Sequence, residues 1–339
     1  MISFKMQYPK LLFKKEQKDY TNELFKVDNT QYLINTANPF NILHIGHRIK
    51  KEKPDAVIIQ WWHPYFAPCY KILRWAVGSD IKIIATCHNV FPHERFPMDK
   101  QLSRLALKRL DGYIVQSQSD AQDLLKIKDN PKYILTAHPT YNVFKINDMP
   151  KEQARLELDI SMDQKVLLFF GFVREYKGLK YLIKAMPQIC ERLGDVKLMV
   201  VGSFGDDKEE YFALINESGV SDAVIVKDSY TPDNEVEKYF AACDLVVCPY
   251  VSATQSGIVQ IAYGFEKPVI ATNVGGLPDV VTDEKTGFIV KSEAPDEIAG
   301  AIIRYYEENR ETEFLKNIKE ESYKFSWEHM VECIETLMD

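Results

Sequence analysis

The chain lacks any apolar run approaching the roughly 18–20 residues that a helix needs to span a bilayer. Its first residues also lack the charged-then-apolar layout of a secretory signal. The expectation is a protein neither secreted nor integral to a membrane, and cytoplasmic. Cysteine is sparse and unpatterned: Cys69, Cys87, Cys190, Cys243, Cys248 and Cys333 include no C-x-x-C pair, and most fall inside apolar strand or helix patterns. They read as reduced core residues. Histidine does not compensate as a metal ligand. His88 and His93 are separated by five positions with Pro92 between them, so they cannot share a helical face as an H-E-x-x-H pair does. Asp206-Asp207 lacks the spacing of a D-x-D metal motif and reads as a solvated loop. No metal and no cofactor is expected. Short-period repeats and low-complexity tracts are absent too.

What is present is a globular composition, 46% hydrophobic and 12% aromatic, in 339 residues, more than one hydrophobic core usually supports. Two domains are expected. The net charge of −7 conceals an asymmetry: residues 1–150 carry 22 Lys+Arg against 14 Asp+Glu, and residues 151–339 carry 20 against 35. A basic first half suits an anionic partner surface. Lys5, Lys10, Lys14, Lys15 and Lys18 are interleaved with Phe4, Tyr8, Leu11, Leu12 and Phe13, a mixture fitted to a lipid headgroup interface. No nucleic-acid partner is expected.

Apolar runs alternate with helical patterns, the signature of parallel α/β sheets. In the first half the expected strands are Ala56–Trp62, Lys82–Asn89, Gly112–Ser117 and Tyr133–Ala137, with helices over Asn41–Lys51, Gln101–Leu110 and Ser119–Ile127. In the second half strands are expected at Lys165–Val173, Val196–Gly202, Ala223–Lys227, Leu245–Pro249, Val269–Thr272 and Gly287–Val290. Between the halves His138–Pro150 holds two prolines and little periodicity, so it reads as the linker, with a cleft expected there. After Glu293 the pattern is helical, and Ser326 is placed to cap a last helix reaching about Leu337.

Two segments carry chemistry. The apolar run Val166-Leu-Leu-Phe-Phe170 meets Gly171-Phe-Val-Arg-Glu-Tyr-Lys-Gly178 just before a helical pattern, placing Arg174 and Lys177 where a strand hands over to a helix. That is where α/β proteins bind phosphate, which points to a nucleotide or sugar-phosphate ligand. The bland alternative is a surface ion pair with Glu175. The second segment runs Pro249-Tyr-Val-Ser-Ala-Thr-Gln-Ser-Gly257, then a short helical stretch, then Lys267-Pro-Val-Ile-Ala-Thr-Asn-Val-Gly-Gly-Leu-Pro-Asp279. Ser256 and Gly257 open a helix whose free N–H groups suit a diphosphate, with Thr254 and Gln255 in reach of an attached sugar.

The order and spacing of Gly171, Arg174, Lys177 and Gly178, of the strands Asp244-Leu-Val-Val-Cys-Pro249 and Lys267-Pro-Val-Ile-Ala-Thr272, and of Gly275-Gly276 resemble the donor-binding domain of family 4 glycosyltransferases of GT-B fold, over residues 165–339. The resemblance implies two Rossmann-like domains facing a cleft, divided as 1–142 (acceptor-binding), 143–325 (nucleotide-sugar-binding) and a helix at 326–339 packing back on the first. It implies a retaining, metal-independent transfer from a UDP- or GDP-linked sugar to a glycan or lipid-linked acceptor in surface polysaccharide synthesis, with the protein peripheral on the inner face of the cytoplasmic membrane. Arg174 and Lys177 would clamp the diphosphate. His88, ending an expected strand, would hydrogen-bond the donor sugar, and Tyr230 would lie against the base. Trp62, His63, His93 and Glu94 are the acceptor candidates.

The sequence departs from the family in two respects. Most members carry paired glutamates where Ala253 and Ile261 stand here, and the Thr-Gln-Ser-Gly loop resembles a subgroup that uses amides and hydroxyls instead. The stretch Met1–Lys10 looks like the second strand of the first domain and its following loop, so a first β-α unit is expected to be missing. Those departures keep open a non-catalytic sugar-nucleotide-binding subunit or a truncated, inactive transferase, and a sugar-nucleotide epimerase of related fold.

Overall fold

The computed structural model describes residues 1–9, 27–92 and 96–339. It divides into two compact units, Met1–Thr136 with Met330–Asp339, and Ala137–His329. No described helix is long and apolar enough to cross a membrane.

The first unit runs β1 (Ile2–Met6), β2 (Gln31–Asn35), α1 (Pro39–Glu52), β3 (Ala56–Trp61), α2 (Ala67–Val77), β4 (Lys82–Cys87), α3 (Asp99–Leu107), β5 (Gly112–Val115), α4 (Gln118–Leu125) and β6 (Tyr133–Leu135). Strands β3-β4-β5-β6 form a parallel sheet in that order, while β1 and β2 pair with each other alone. The pair β1–β2 corresponds to no two expected strands: β1 falls in the stretch read as a strand, but β2 was not foreseen. Its five residues hold only Tyr32, Leu33 and Ile34 as apolar content, too short a run to declare itself. Helix α1 begins two residues earlier than its apolar period. Asn38 caps it by accepting from the Asn41 N–H at 3.1 Å, and Pro39 occupies the first turn, where no N–H is needed. The core gathers Trp61, Phe66, Ile83, Tyr113 and Leu124, all 1% exposed or less.

In the second unit come α5 (Lys151–Glu157), β7 (Lys165–Phe170), α6 (Leu179–Leu193), β8 (Val196–Val201), α7 (Lys208–Glu217), β9 (Val224–Lys227), α8 (Val236–Ala242), β10 (Leu245–Cys248), α9 (Gly257–Gly264), β11 (Val269–Thr272), α10 (Leu277–Val280), β12 (Gly287–Val290), α11 (Pro295–Glu307) and α12 (Glu311–Glu320). A last helix, α13 (Trp327–Met338), starts here and ends in the first unit. Ser326 caps it, accepting from the His329 N–H at 3.0 Å. The parallel sheet has the order β12-β11-β10-β7-β8-β9. Strand order therefore reverses at β7, and the crevice beyond the carboxyl ends of β7 and β10 is the switch point at which doubly wound sheets bind ligands. The expected strand Lys165–Val173 stops at Phe170 because Gly171 takes φ +96°, outside the extended region.

One buried node fixes the amino ends of those two strands. Arg155, 1% exposed on α5, bonds Asp244 Oδ1 at 2.8 Å and the carbonyls of Ala242, Ser161, Met162 and Gln164 at 2.8–3.1 Å. Asp244, just before β10, also accepts from the Val166 N–H of β7 at 2.7 Å and from the Tyr306 hydroxyl of α11 at 3.2 Å. Removing one member of a buried pair strands the other, at a cost of about 3–5 kcal/mol. Lys151 also pairs with Asp244 and softens that loss. Arg155→Met is expected to lower the unfolding free energy by about 3 kcal/mol, measured by urea denaturation; a change under about 0.5 kcal/mol shows the node to be dispensable.

Candidate active site at the β7–β10 crevice

The loops leaving β7 and β10 are bound to each other. The Val251 N–H donates to the Tyr176 carbonyl at 2.7 Å, and a Cβ at Gly178 (φ +68°) would overlap the Pro249 carbonyl oxygen. Only glycine fits there, on both conformational and steric grounds. The loop leaving β8 joins through the Val173 N–H, which donates to Ser203 at 2.9 Å.

This packing buries Lys177. Its side chain is 9% exposed, and its ammonium forms no ion pair among the described residues. It lies 5.7 Å from the centre of the Tyr250 ring, and only 2.8 Å from where a Cβ on Gly171 would sit. Burial pushes its pKa below the ordinary lysine value of 10.5. Glu175, the carboxylate best placed in sequence to neutralise it, pairs instead with Lys180 at 3.3 Å. Arg174 is exposed; its Nη1 stands 3.2 Å from the position of a Cβ on Gly205, and it too has no ion pair among the described residues.

Opposite, α9 opens beside the same lysine. Ser256 caps the helix, accepting from the Ile258 N–H at 3.2 Å, and its hydroxyl is 3.1 Å from the Tyr250 hydroxyl. Gly257 is exposed at the first helical position. The preceding loop is held by Gly275 and Gly276: the Gly276 N–H donates to the Thr254 carbonyl at 2.7 Å, and Gly275 (φ +53°) sits directly on the Ala253 carbonyl. Gln255 Nε2 is buried and makes no hydrogen bond among the described residues. Such a donor costs on the order of 1–3 kcal/mol if left unmet, so it is an opening for a polar ligand group.

A cavity of about 240 Å³ brings Gly171, Lys177 and Tyr230 together with Phe172, Thr231 and Ile258. Tyr230 and Phe172 are 63% and 52% exposed, with ring centres 6.5 Å apart. Thr231 Oγ1 is a second buried polar atom without a hydrogen bond among the described residues. Phe172 and Thr231 escaped the sequence reading. The signals were an aromatic exposed between Gly171 and Val173, and a threonine beside the singled-out tyrosine.

The remaining candidates lie in the first unit. His88 follows β4; its N–H donates to the Trp61 carbonyl at 2.8 Å, and its Nε2 is 2.9 Å from Gln60 Oε1. Gln60 was not singled out, though it is the lone polar residue in Ala56-Val-Ile-Ile-Gln-Trp61. Trp62 packs into an aromatic cluster, 4.5 Å from Phe66 and 6.0 Å from Phe4 by ring centres, with its indole N–H donating to the Tyr8 hydroxyl at 3.3 Å. His63 caps a short turn, Nδ1 accepting from the Tyr65 N–H at 3.1 Å, and stacks on Phe96 at 5.5 Å. Burial lowers its pKa. His93 and Glu94 lie outside the described residues, as do Lys10, Lys14, Lys15 and Lys18. Among the described residues no group of three His, Cys, Asp or Glu could hold a metal ion.

The profile of the family described as glycosyl transferases group 1 matches residues 150–325, more than half of the chain, and that of glycosyltransferase family 4 matches residues 10–141. The chain belongs to the group 1 glycosyltransferase family. Among its relatives are an uncharacterised glycosyltransferase of Methanocaldococcus jannaschii, 32% identical over 178 residues (52% of this chain, 45% of the relative), and the D-inositol 3-phosphate glycosyltransferase of Corynebacterium glutamicum, 31% identical over 228 residues (64% and 54%). The chain thus spans about half the length of the curated relatives it matches. Similar solved structures include sucrose-phosphate synthase of Thermosynechococcus elongatus (TM-score 0.68, 20% identity, 91% of this chain and 82% of that one) and Anabaena HepE in complex with UDP (0.70, 17%, 91% and 86%). They share its fold, the GT-B type with two Rossmann-like domains.

The lowered Lys177 pKa gives any anion contact at this candidate site a pH dependence. An anion on the ammonium stabilises its charged form and draws the pKa back up, so binding takes up a proton. Affinity is therefore full below the free-protein pKa of Lys177 and declines as pH rises through it, earlier than for an ordinary lysine. Calorimetric titration with pyrophosphate from about pH 7 to about pH 10 is expected to show that decline, and Lys177→Arg to remove it; identical curves for both proteins count against Lys177 as the contact.

Proposed function

We propose that the protein is a retaining, metal-independent glycosyltransferase that moves a sugar from a nucleoside-diphosphate donor to a glycan or lipid-linked acceptor in surface polysaccharide synthesis. The observation that carries this reading is the buried Lys177 at the switch point, which has no ion pair among the described residues and shares a cavity with Ile258 of α9. In the transfer, the bond between the sugar C1 and the β-phosphate oxygen breaks, the bonding pair leaves with the diphosphate and positive charge develops on the sugar ring; an acceptor hydroxyl then bonds C1 from the same face and gives its proton to the departing phosphate oxygen. Lys177, Arg174 and the first N–H groups of α9 would stabilise the departing diphosphate. Fixed cations serve that purpose without a metal.

The orphan amide of Gln255, with Thr254 and Ser256, suits hydroxyls of the donor sugar, and Tyr230 with Phe172 offers two faces on which a base stacks. His88, held by Gln60, would hydrogen-bond the sugar. The Anabaena structure's UDP makes a uridine donor the first to try. Acceptor contacts are assigned to Trp62, His63, His93 and Glu94, and an anionic membrane surface to the lysines led by Lys5.

The test is nucleotide release from a panel of UDP- and GDP-sugars in the presence of membrane lipid extract. Arg174→Ala and Lys177→Ala are each expected to lower turnover at least about tenfold, since a charge-assisted phosphate contact is worth roughly 1.5–3 kcal/mol. Thermal stability should hold for Arg174→Ala. Wild-type turnover in the double variant defeats the assignment. Excess EDTA is expected to leave activity intact; loss on chelation, restored by magnesium or manganese, assigns the diphosphate to a metal instead.

A further inference from the structure

One concavity of the first unit has no place in that chemistry. About 690 Å³ in volume, it is lined by six cations from three helical elements, Lys71 of α2, Lys100 and Arg104 of α3, Lys108 and Arg109 just past it, and Lys126 just past α4. Among the described residues no carboxylate lines it. Lys126 pairs with Asp123 at 2.7 Å, and Arg104 Nη2 donates to the Lys126 carbonyl at 2.9 Å. Lys71, Lys100, Lys108 and Arg109 form no ion pair among the described residues.

The arrangement is costly unless something offsets it. Lys100, Arg104 and Lys108 recur at four-residue spacing, and like charges so spaced oppose one another along a helix. Lys100 also sits in the first turn of α3, where the helix dipole disfavours a cation. The carbonyl ends of α3 and α4 relieve Lys108, Arg109 and Lys126, but Lys100 lies at the opposite end. A concave surface of one sign focuses its field and concentrates counter-ions of the other.

The surface runs the length of α3. This helix returns from the carboxyl end of β4 to the amino end of β5, so Lys108, Arg109 and Lys126 lie toward the amino ends of the strands, while Phe91 and Lys100 lie at the carboxyl end of β4, the end that His88 follows. The floor is apolar, with Phe91 and Ile127 buried and Leu105 38% exposed at the side.

We propose that this cavity is a binding site for a multiply charged organic phosphate, its phosphates held by the Lys71, Lys100, Arg104, Lys108 and Arg109 cluster and its carbon part resting on Phe91, Leu105 and Ile127. Arginine supplies planar forks and lysine point charges, the pairing that suits phosphate oxygens. The ligand is either a soluble phosphate ester or the headgroup of an anionic lipid, which share this chemistry. The inference goes beyond the transferase reading and does not depend on it.

The test uses the full chain carrying Arg174→Ala and Lys177→Ala, so that phosphate binding at the β7–β10 crevice is removed and failure of one assignment does not mask the other. Binding is measured to fructose 1,6-bisphosphate by calorimetry and to phosphatidylglycerol against phosphatidylcholine vesicles by co-sedimentation. Binding to at least one phosphate probe is expected, and adding Lys100→Gln, Lys108→Gln and Arg109→Gln weakens it at least about tenfold, as loss of three near-surface cations requires. Preference for the soluble ester or for anionic vesicles tells which source supplies the ligand. Raising ionic strength from about 0.01 to about 0.15 M, which shortens the screening length from roughly 30 to 8 Å, weakens binding as well. Lys316→Gln with Lys319→Gln on α12 leaves it unchanged. The proposal is overturned if neither probe binds, or if the triple glutamine substitution binds as tightly as its parent.

Discussion

The second unit depends on the junction between β7 and β10. At their amino ends, Asp244 joins both strands to Arg155; at their carboxyl ends, Gly178 lies against Pro249 and Val251 bonds the Tyr176 carbonyl. A junction fixed at both ends holds two loops of different strands in one register. Lys177 is buried only because those loops meet. The lysine could not be kept without a counter-charge in a looser fold, where water or Glu175 would reach it. Desolvation disfavours its charged form and lowers its pKa, and under the proposed function a diphosphate is the group that would offset that cost.

Glycine enforces this arrangement at two levels. Gly178 and Gly275 adopt positive φ and let backbone press on backbone, while Gly171 leaves the space that the Lys177 ammonium fills. A side chain at any of the three would open the junction or displace the charge. The site is therefore less a set of reactive groups than a tight backbone enclosure in which Lys177 and Arg174 have no ion pair, and Gln255 Nε2 and Thr231 Oγ1 no hydrogen bond, among the described residues.

Much of this could be read from the residues in order. The apolar runs at Lys165, Val269 and Gly287 and the cap at Ser326 mark their elements well, because period and punctuation agree there. Arg174 and Lys177 stood out together, yet their sequence spacing did not reveal that one is exposed and the other buried; that follows from Pro249, seventy-odd positions away, closing over the loop. The position of Trp62 and His63 after a strand was legible, but their long-range contacts with Phe4, Tyr8 and Phe96 needed the fold. Gln60 and Thr231 carried no local signal strong enough to distinguish a site residue from an ordinary polar one. The four-residue spacing of Lys100, Arg104 and Lys108 was not singled out, because its convergence with Lys71 and Lys126 needs the fold.

The buried thiols give the chain a built-in record of its own opening. Cys69 and Cys87 lie in the core of the first unit, and Cys243 and Cys248 flank and end β10 in the second. Burial raises the Cys69 and Cys248 thiols to about 12 and Cys243 to about 11, so few thiolates are present at neutral pH and alkylating reagents have little access to them. Partly exposed Cys190 marks the background rate. Mass-resolved alkylation over time would then report separately how often each unit opens, with no label introduced and no residue changed.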